Sequence, residues 1–142
     1  DAQFAIGDFY YKQKLYDSAL TAYQQFATSY ASDARVEEAK VLIKDLSQIE
    51  AYKAYEAAMA FFDAKNWGVA VEELTKVASK YPNTEIVYGC KTNIASAYEQ
   101  LGERKKALAV FEEIIKDWKD LEAARTAVFF AEMHKRWIEA GK

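Results

Sequence analysis

Three stretches of the chain share one pattern of small, aromatic and apolar positions. They are "IGDFYYKQKLYDSALTAYQQF", "AAMAFFDAKNWGVAVEELTKV" and "IASAYEQLGERKKALAVFEEI", aligned on Ala19, Ala70 and Ala107. Nine residues before each Ala stands an aromatic: Tyr10, Phe61 and Tyr98. Four residues after it stands a large apolar side chain: Tyr23, Leu74 and Phe111. Seven after it comes another: Phe26, Val77 and Ile114. Twelve before it the residue is small: Gly7, Ala58 and Ala95. Offsets of four and seven lie on one helical face. The small residue lets two helices approach, and the aromatic is expected to fill the wedge between them. The short polar breaks "KQKLYD", "AKNWG" and "QLGERKK" end one helix and start an antiparallel partner. The pattern predicts three helical hairpins.

Their spacing is uneven. Ala70 and Ala107 are 37 residues apart, but Ala19 and Ala70 are 51 apart. The extra stretch has neither Gly nor Pro from Asp33 to Asn66, and Val36, Ala39, Leu42, Ile43, Leu46 and Ile49 keep helical spacing. It predicts one long helix over about 34–65, shared by two hairpins. Ser32 or Asp33 is expected to cap its start, and Asn66 to cap the helix that follows. The resulting division is a first repeat over about 2–31, a second over about 51–81, a third over about 84–118 and a capping helix over about 121–140. All of it is expected to form a single domain, 1–142, of about seven helices.

Composition agrees with an all-α fold. The 142 residues include one Pro and five Gly, and 51% are hydrophobic. Good helix formers abound. With 19 basic and 22 acidic residues the net charge is −3, and the basic residues are scattered, which argues against a nucleic-acid partner. Cys90, the one cysteine, has no internal disulfide partner. No stretch approaches the ~18 apolar residues of a membrane span. The chain begins at Asp1 without Met, so any targeting segment is expected upstream.

Motifs that carry chemistry are lacking. The glycines are isolated, so there is no phosphate-binding loop. His134, the one histidine, has Phe130, Ala131, Trp137 and Ile138 as helical neighbours, none a metal ligand; it reads as a packing residue. Cys90 reads as a small buried residue, with only Lys91 beside it to activate a thiol. The pairs Glu37–Glu38, Glu72–Glu73 and Glu112–Glu113 are adjacent on helices and point apart, as on a solvated outer face. No enzyme activity and no cofactor are expected.

The three units resemble tetratricopeptide (TPR) repeats. The small–aromatic–Ala–aromatic order matches, and "KYPNT" places Pro82 where that family carries a proline between repeats. The resemblance implies a helical-hairpin solenoid. The span from about Tyr30 to Ile115 further resembles the C-terminal half of the BamD-type outer-membrane assembly lipoproteins and related bacterial periplasmic TPR proteins. It does so through "EAYKAYEAAMAFFDAKNWGVAVEEL", "KYPNTE" and "NIASAYEQLGERKKAL", in that order. The segment "LEAARTAVFFAEMHKRWIEAGK" departs from that family's pattern.

In TPR arrays the first helix of each hairpin lines a concave surface. Carried over, that surface holds Phe4, Asp8, Tyr11 and Lys12 of the first repeat, Tyr52, Tyr55, Met59 and Phe62 of the second, and Thr92, Ser96 and Glu99 of the third. Tyr55 and Phe62 serve equally as core residues. The Lys/Asn clamp that some TPR proteins use for chaperone C-terminal tails is missing. The last helix adds Phe129, Phe130, Met133 and Trp137, which either continue into a further repeat or dock a partner. The partner-binding candidates are therefore Phe4, Tyr11, Tyr52, Tyr55, Met59, Phe62, Phe129 and Trp137. The expected function is a non-catalytic protein-interaction scaffold. By resemblance it lies in the periplasm at the inner face of the outer membrane, with an upstream lipid anchor. The alternative is a regulatory or sensor module of a larger protein in another compartment, such as the cytoplasm. Neither reading specifies an oligomeric state.

Overall fold

The computed structural model describes residues 2–141. Among them are seven α-helices and no strand. These are α1 (Ala2–Lys12), α2 (Tyr16–Ser29), α3 (Val36–Asp63), α4 (Trp67–Lys80), α5 (Ile86–Gln100), α6 (Arg104–Trp118) and α7 (Arg125–Glu139), the last entered through a 3₁₀ turn at Glu122–Ala124. The long shared helix is α3, 28 residues without a break. The chain divides into two compact units, one reaching to Tyr52 and one starting at Lys53, and their boundary falls inside α3.

The three hairpin joints are built alike. Lys14 and Lys65 take φ of 59° and 63°, and Gly102 takes 77°. In each joint the next residue donates its N–H back to the aromatic carbonyl five positions earlier: Leu15 to Tyr10 (3.0 Å), Asn66 to Phe61 (2.8 Å) and Glu103 to Tyr98 (2.9 Å). The left-handed residue itself donates to the following carbonyl: Lys14 to Tyr11, Lys65 to Phe62 and Gly102 to Glu99. This double closure is a Schellman motif, which satisfies the orphan carbonyls of the ending helix. The residue that closes the first helix also opens the second, because its carbonyl accepts the N–H of the aligned alanine, Ala19, Ala70 or Ala107. The aromatic thus marks the joint through its backbone. The side chains of Tyr10 and Tyr98 pack against the apolar clusters as expected, but Phe61 is 39% exposed. Asn66 caps α4 by its carbonyl and not by its side chain. Ahead of α3, the Asp33 carboxylate accepts the Arg35 N–H at 2.8 Å.

In the first unit, Phe4, Ala19, Tyr23 and Phe26 pack with Val36, Ala39 and Leu46 of α3. Phe4 sits 5.4 Å from the Tyr23 ring and 5.2 Å from Phe26, with the Arg35 guanidinium over its face. Gly7 explains the close approach of α1 and α2: a Cβ there would lie 2.5 Å from Cε1 of Tyr23. The Tyr23 hydroxyl passes this glycine and donates to Oδ1 of Asp8 at 2.5 Å.

The second unit holds two apolar clusters. One gathers Ala58, Ala70, Leu74, Val77, Cys90 and Ile94. The other gathers Ala95, Ala107, Phe111, Ile114, Ala124, Ala127, Val128 and Ala131. Tyr98 and Val110 pack against both. Helix α5 is therefore apolar on two faces, turning Cys90 and Ile94 into one cluster and Ala95 into the other.

Two predictions test this construction. A lysine in the left-handed region is strained where glycine is not, so Lys65→Gly should raise the unfolding free energy by about 0.5–1 kcal/mol, and Gly102→Ala should lower it by about 1 kcal/mol. Urea unfolding midpoints would show this as shifts of opposite sign. Second, burial and the hydrogen bond to Asp8 push the Tyr23 phenol above its ordinary value of 10.0. The folded state favours the neutral phenol, so its contribution is intact below pH 10 and is lost as the pH rises beyond it. Tyr23→Phe should cost roughly 1 kcal/mol at neutral pH and should flatten the decline of stability above pH 10.

Candidate functional site

Helices α5 and α7 both pack on α6 and touch each other, leaving a groove on the face away from α6. Two concavities follow one another along it. The first, of about 290 Å³, lies between Tyr88, Gly89, Thr92 and Asn93 of α5 and Thr126, Ala127 and Phe130 of α7. The second, of about 380 Å³, is bounded by Ser96, Glu99 and Gln100 of α5 and by His134 and Trp137 of α7. The α5 wall is mostly polar and the α7 wall mostly aromatic.

Both walls are braced. Asn93 Nδ2 donates to the Tyr55 hydroxyl at 2.8 Å and to the Gly89 carbonyl at 2.9 Å. Gly89 makes room for that tyrosine, since a Cβ there would lie 3.0 Å from its hydroxyl oxygen. The Thr92 hydroxyl is 3.1 Å from both the Tyr88 and Gly89 carbonyls, turned to its own helix. Further along, His134 Nδ1 meets Oε1 of Glu99 at 2.7 Å. The imidazole centroid lies 4.0 Å from that of Phe130, tilted by 30°, 4.8 Å from that of Trp137 and 5.3 Å from that of Phe111. A histidine that reads as simple packing in the sequence also fixes a carboxylate 35 positions away.

The sequence candidates fall in several places. Phe4 belongs to the core of the first unit at 4% exposure, which corrects its assignment to a concave surface. Asp8 receives the Tyr23 hydroxyl. Tyr11 is exposed, edge-on to Tyr16, and Lys12 and Tyr52 are exposed too. Tyr55, Met59 and Phe62 are partly buried against the core, with Phe62 edge-on to Trp67 at 4.9 Å. Phe129 is 62% exposed and borders a separate hollow with Lys119, Glu122, Arg125 and Glu132, off the groove. Ser96 and Glu99 come together with Trp137. Tyr88, Asn93 and Thr126 stand in no sequence motif, and only the structure places them in the groove. The turn bond from Leu121 to Trp118 repeats that from Thr84 to Tyr81, 37 positions on, which makes α7 the counterpart of α5.

The glutamate pairs sit on outer faces and make ion pairs there: Glu37 with Lys40, Glu73 with Lys76, Glu112 with Lys135 and Glu113 with Lys91. Among the described residues no group of three or more His, Cys, Asp or Glu side chains is placed to hold a metal ion. Among the described residues no helix is long and apolar enough to cross a membrane.

A family model of the tetratricopeptide repeat matches residues 1–33, 54–84 and 92–120, more than half of the chain. The chain belongs to the tetratricopeptide-repeat family. Each matched segment contains one of the three joints, and the unmatched interval 34–53 falls mostly within the first part of α3. Tetratricopeptide repeats are modules that bind other proteins, and the α5–α7 groove is formed by the first helix of the third repeat and its counterpart beyond it. None of the curated proteins matches the chain.

Cys90, also on α5, is buried in the cluster that α5 shares with α3 and α4. Burial pushes its thiol up to about 11, and the thiolate is the reactive form. Native protein at pH 8 should therefore react with an aromatic disulfide reagent at least about tenfold more slowly than protein unfolded in urea, as followed by absorbance.

Proposed function

We propose that this chain is a non-catalytic scaffold whose α5–α7 groove holds a segment of a partner protein. The observation that carries the reading is the groove itself. Its polar wall and its aromatic wall are each fixed by a hydrogen bond between helices, Asn93 to Tyr55 and His134 to Glu99. A groove held in this way loses little conformational freedom when it is filled. Trp137, 47% exposed on its rim, offers the large flat contact that dominates many interfaces. Membership of the tetratricopeptide-repeat family supports the same class of function.

The proposal extends to a setting. The resemblance of about Tyr30 to Ile115 to the BamD-type assembly lipoproteins supports a scaffold at the inner face of a bacterial outer membrane. There it would be anchored through an upstream lipid-modified cysteine and docked on a periplasmic domain of a β-barrel assembly protein. Exposed Tyr11 and Tyr52 of the first unit and Phe129 of the second are further candidate contacts in that assembly.

Photo-crosslinking amino acids at Tyr11, Tyr52, Phe129 and Trp137 of the full-length protein, in its native cell, test both levels. The expected result is a protein adduct from Trp137, with outer-membrane assembly components among the products. Adducts only with cytoplasmic proteins, or with another domain of the same chain, would overturn the envelope setting and keep the scaffold. A Trp137 position that never yields a protein adduct would overturn the groove.

A further inference from the structure

We infer that the second half of the α5–α7 groove is an arginine-binding subsite, and that the occupant is a linear segment of a partner protein with an arginine a few residues from a bulky apolar side chain. This rests on the groove being the binding face proposed above and adds the chemistry of what fills it.

The residues around the second concavity include one carboxylate and one indole and neither lysine nor arginine. The side chains of Glu99 and His134 are only 24% and 17% exposed, so water and salt screen this carboxylate less than one on an open surface. His134 engages Oε1, and a carboxylate has about four lone-pair positions in all, so the group retains capacity for a second donor. The histidine sets the carboxylate's direction, and its own ring is held by Phe130 and Phe111. Trp137 stands beside them. A guanidinium suits this pair: its planar fork matches a carboxylate, and its flat face stacks on an indole. An acidic segment meets repulsion here, which is the opposite polarity to a basic clamp.

The first concavity supplies the companion pocket. Tyr88, Ala127 and Phe130 give it an apolar lining. From Asn93 to Gln100 along α5 is about 10 Å at ~1.5 Å per residue. An extended segment covers that distance in about three residues at ~3.3 Å each. An apolar side chain and an arginine separated by about three residues therefore reach both concavities at once.

The test uses a phage-displayed library of random dodecapeptides selected on the immobilised full chain, with enriched peptides synthesised and measured by fluorescence anisotropy. The expected result is recurrent arginine about three residues from an aromatic or aliphatic residue. Glu99→Gln should weaken these peptides about tenfold or more. It keeps an acceptor for His134, so the melting temperature should hold. Trp137→Ala, and Thr126→Arg at the exposed rim of the first concavity, should weaken them as well. Peptides that lack arginine, or that bind Glu99→Gln unchanged, would overturn the arginine subsite. If Trp137→Ala or Thr126→Arg still weakened such peptides, the groove would survive. Peptides indifferent to both of those variants, or no enrichment at all, would overturn the groove and the subsite together.

Discussion

The fold depends on one backbone event repeated three times: a single residue turned left-handed so that the next N–H can reach back to an aromatic carbonyl. At Lys14, Lys65 and Gly102 this closes the ending helix, and the following residue at once becomes the start of the next. A reversal this short leaves the two helices no slack. The aligned alanine lies on the first turn after it, facing the small residue twelve positions back, and every such alanine has zero exposure. Where the side chain packed there is largest, Tyr23, the opposing residue shrinks to glycine. Small positions, buried aromatics and the antiparallel course of each hairpin all follow from the tightness of the joint.

Within α3 no residue turns left-handed, and the helix is not interrupted. From Val36 to Asp63 the chain has neither Gly nor Pro, and α3 runs unbroken for 28 residues. Its first part packs Val36, Ala39 and Leu46 on the first hairpin, and its second part packs Ala58 into the cluster of the second. One helix is thereby shared between two cores. The interval of 51 residues in place of 37 reflects the missing joint.

Most of this was legible because it is written in periodicity. Helical offsets around Ala19, Ala70 and Ala107 named the hairpins, the long helix and most of the buried residues, and burial follows period whatever the partner. The joints were only half legible. Glycine announces a left-handed residue at 102, but a lysine at 14 or 65 does not, since its strain is outweighed by the surrounding packing. Phe4 was misplaced for a related reason: one helical face was assigned wholly to solvent, although its aromatic at position 4 turns between Tyr23 and Phe26. The groove was the least legible part. Glu99 and His134 are 35 positions apart, and only the stacking of α7 on α6 brings them to 2.7 Å.

That stacking also decides where the array can bind. Helix α7 follows α5 at the repeat interval, so the residues it turns towards the groove correspond to those α5 turns there. On α5 they include Thr92, Asn93 and Ser96, and at this interval the α7 counterpart of Asn93 is Phe130, which lines the groove. The same structural position is therefore polar on one helix and apolar on the next. Packing constrains the buried face of each repeat and leaves the groove face open to variation. The contrast between a polar and an aromatic wall is therefore not needed to build the hairpins, and a segment with one apolar and one cationic side chain is what answers it.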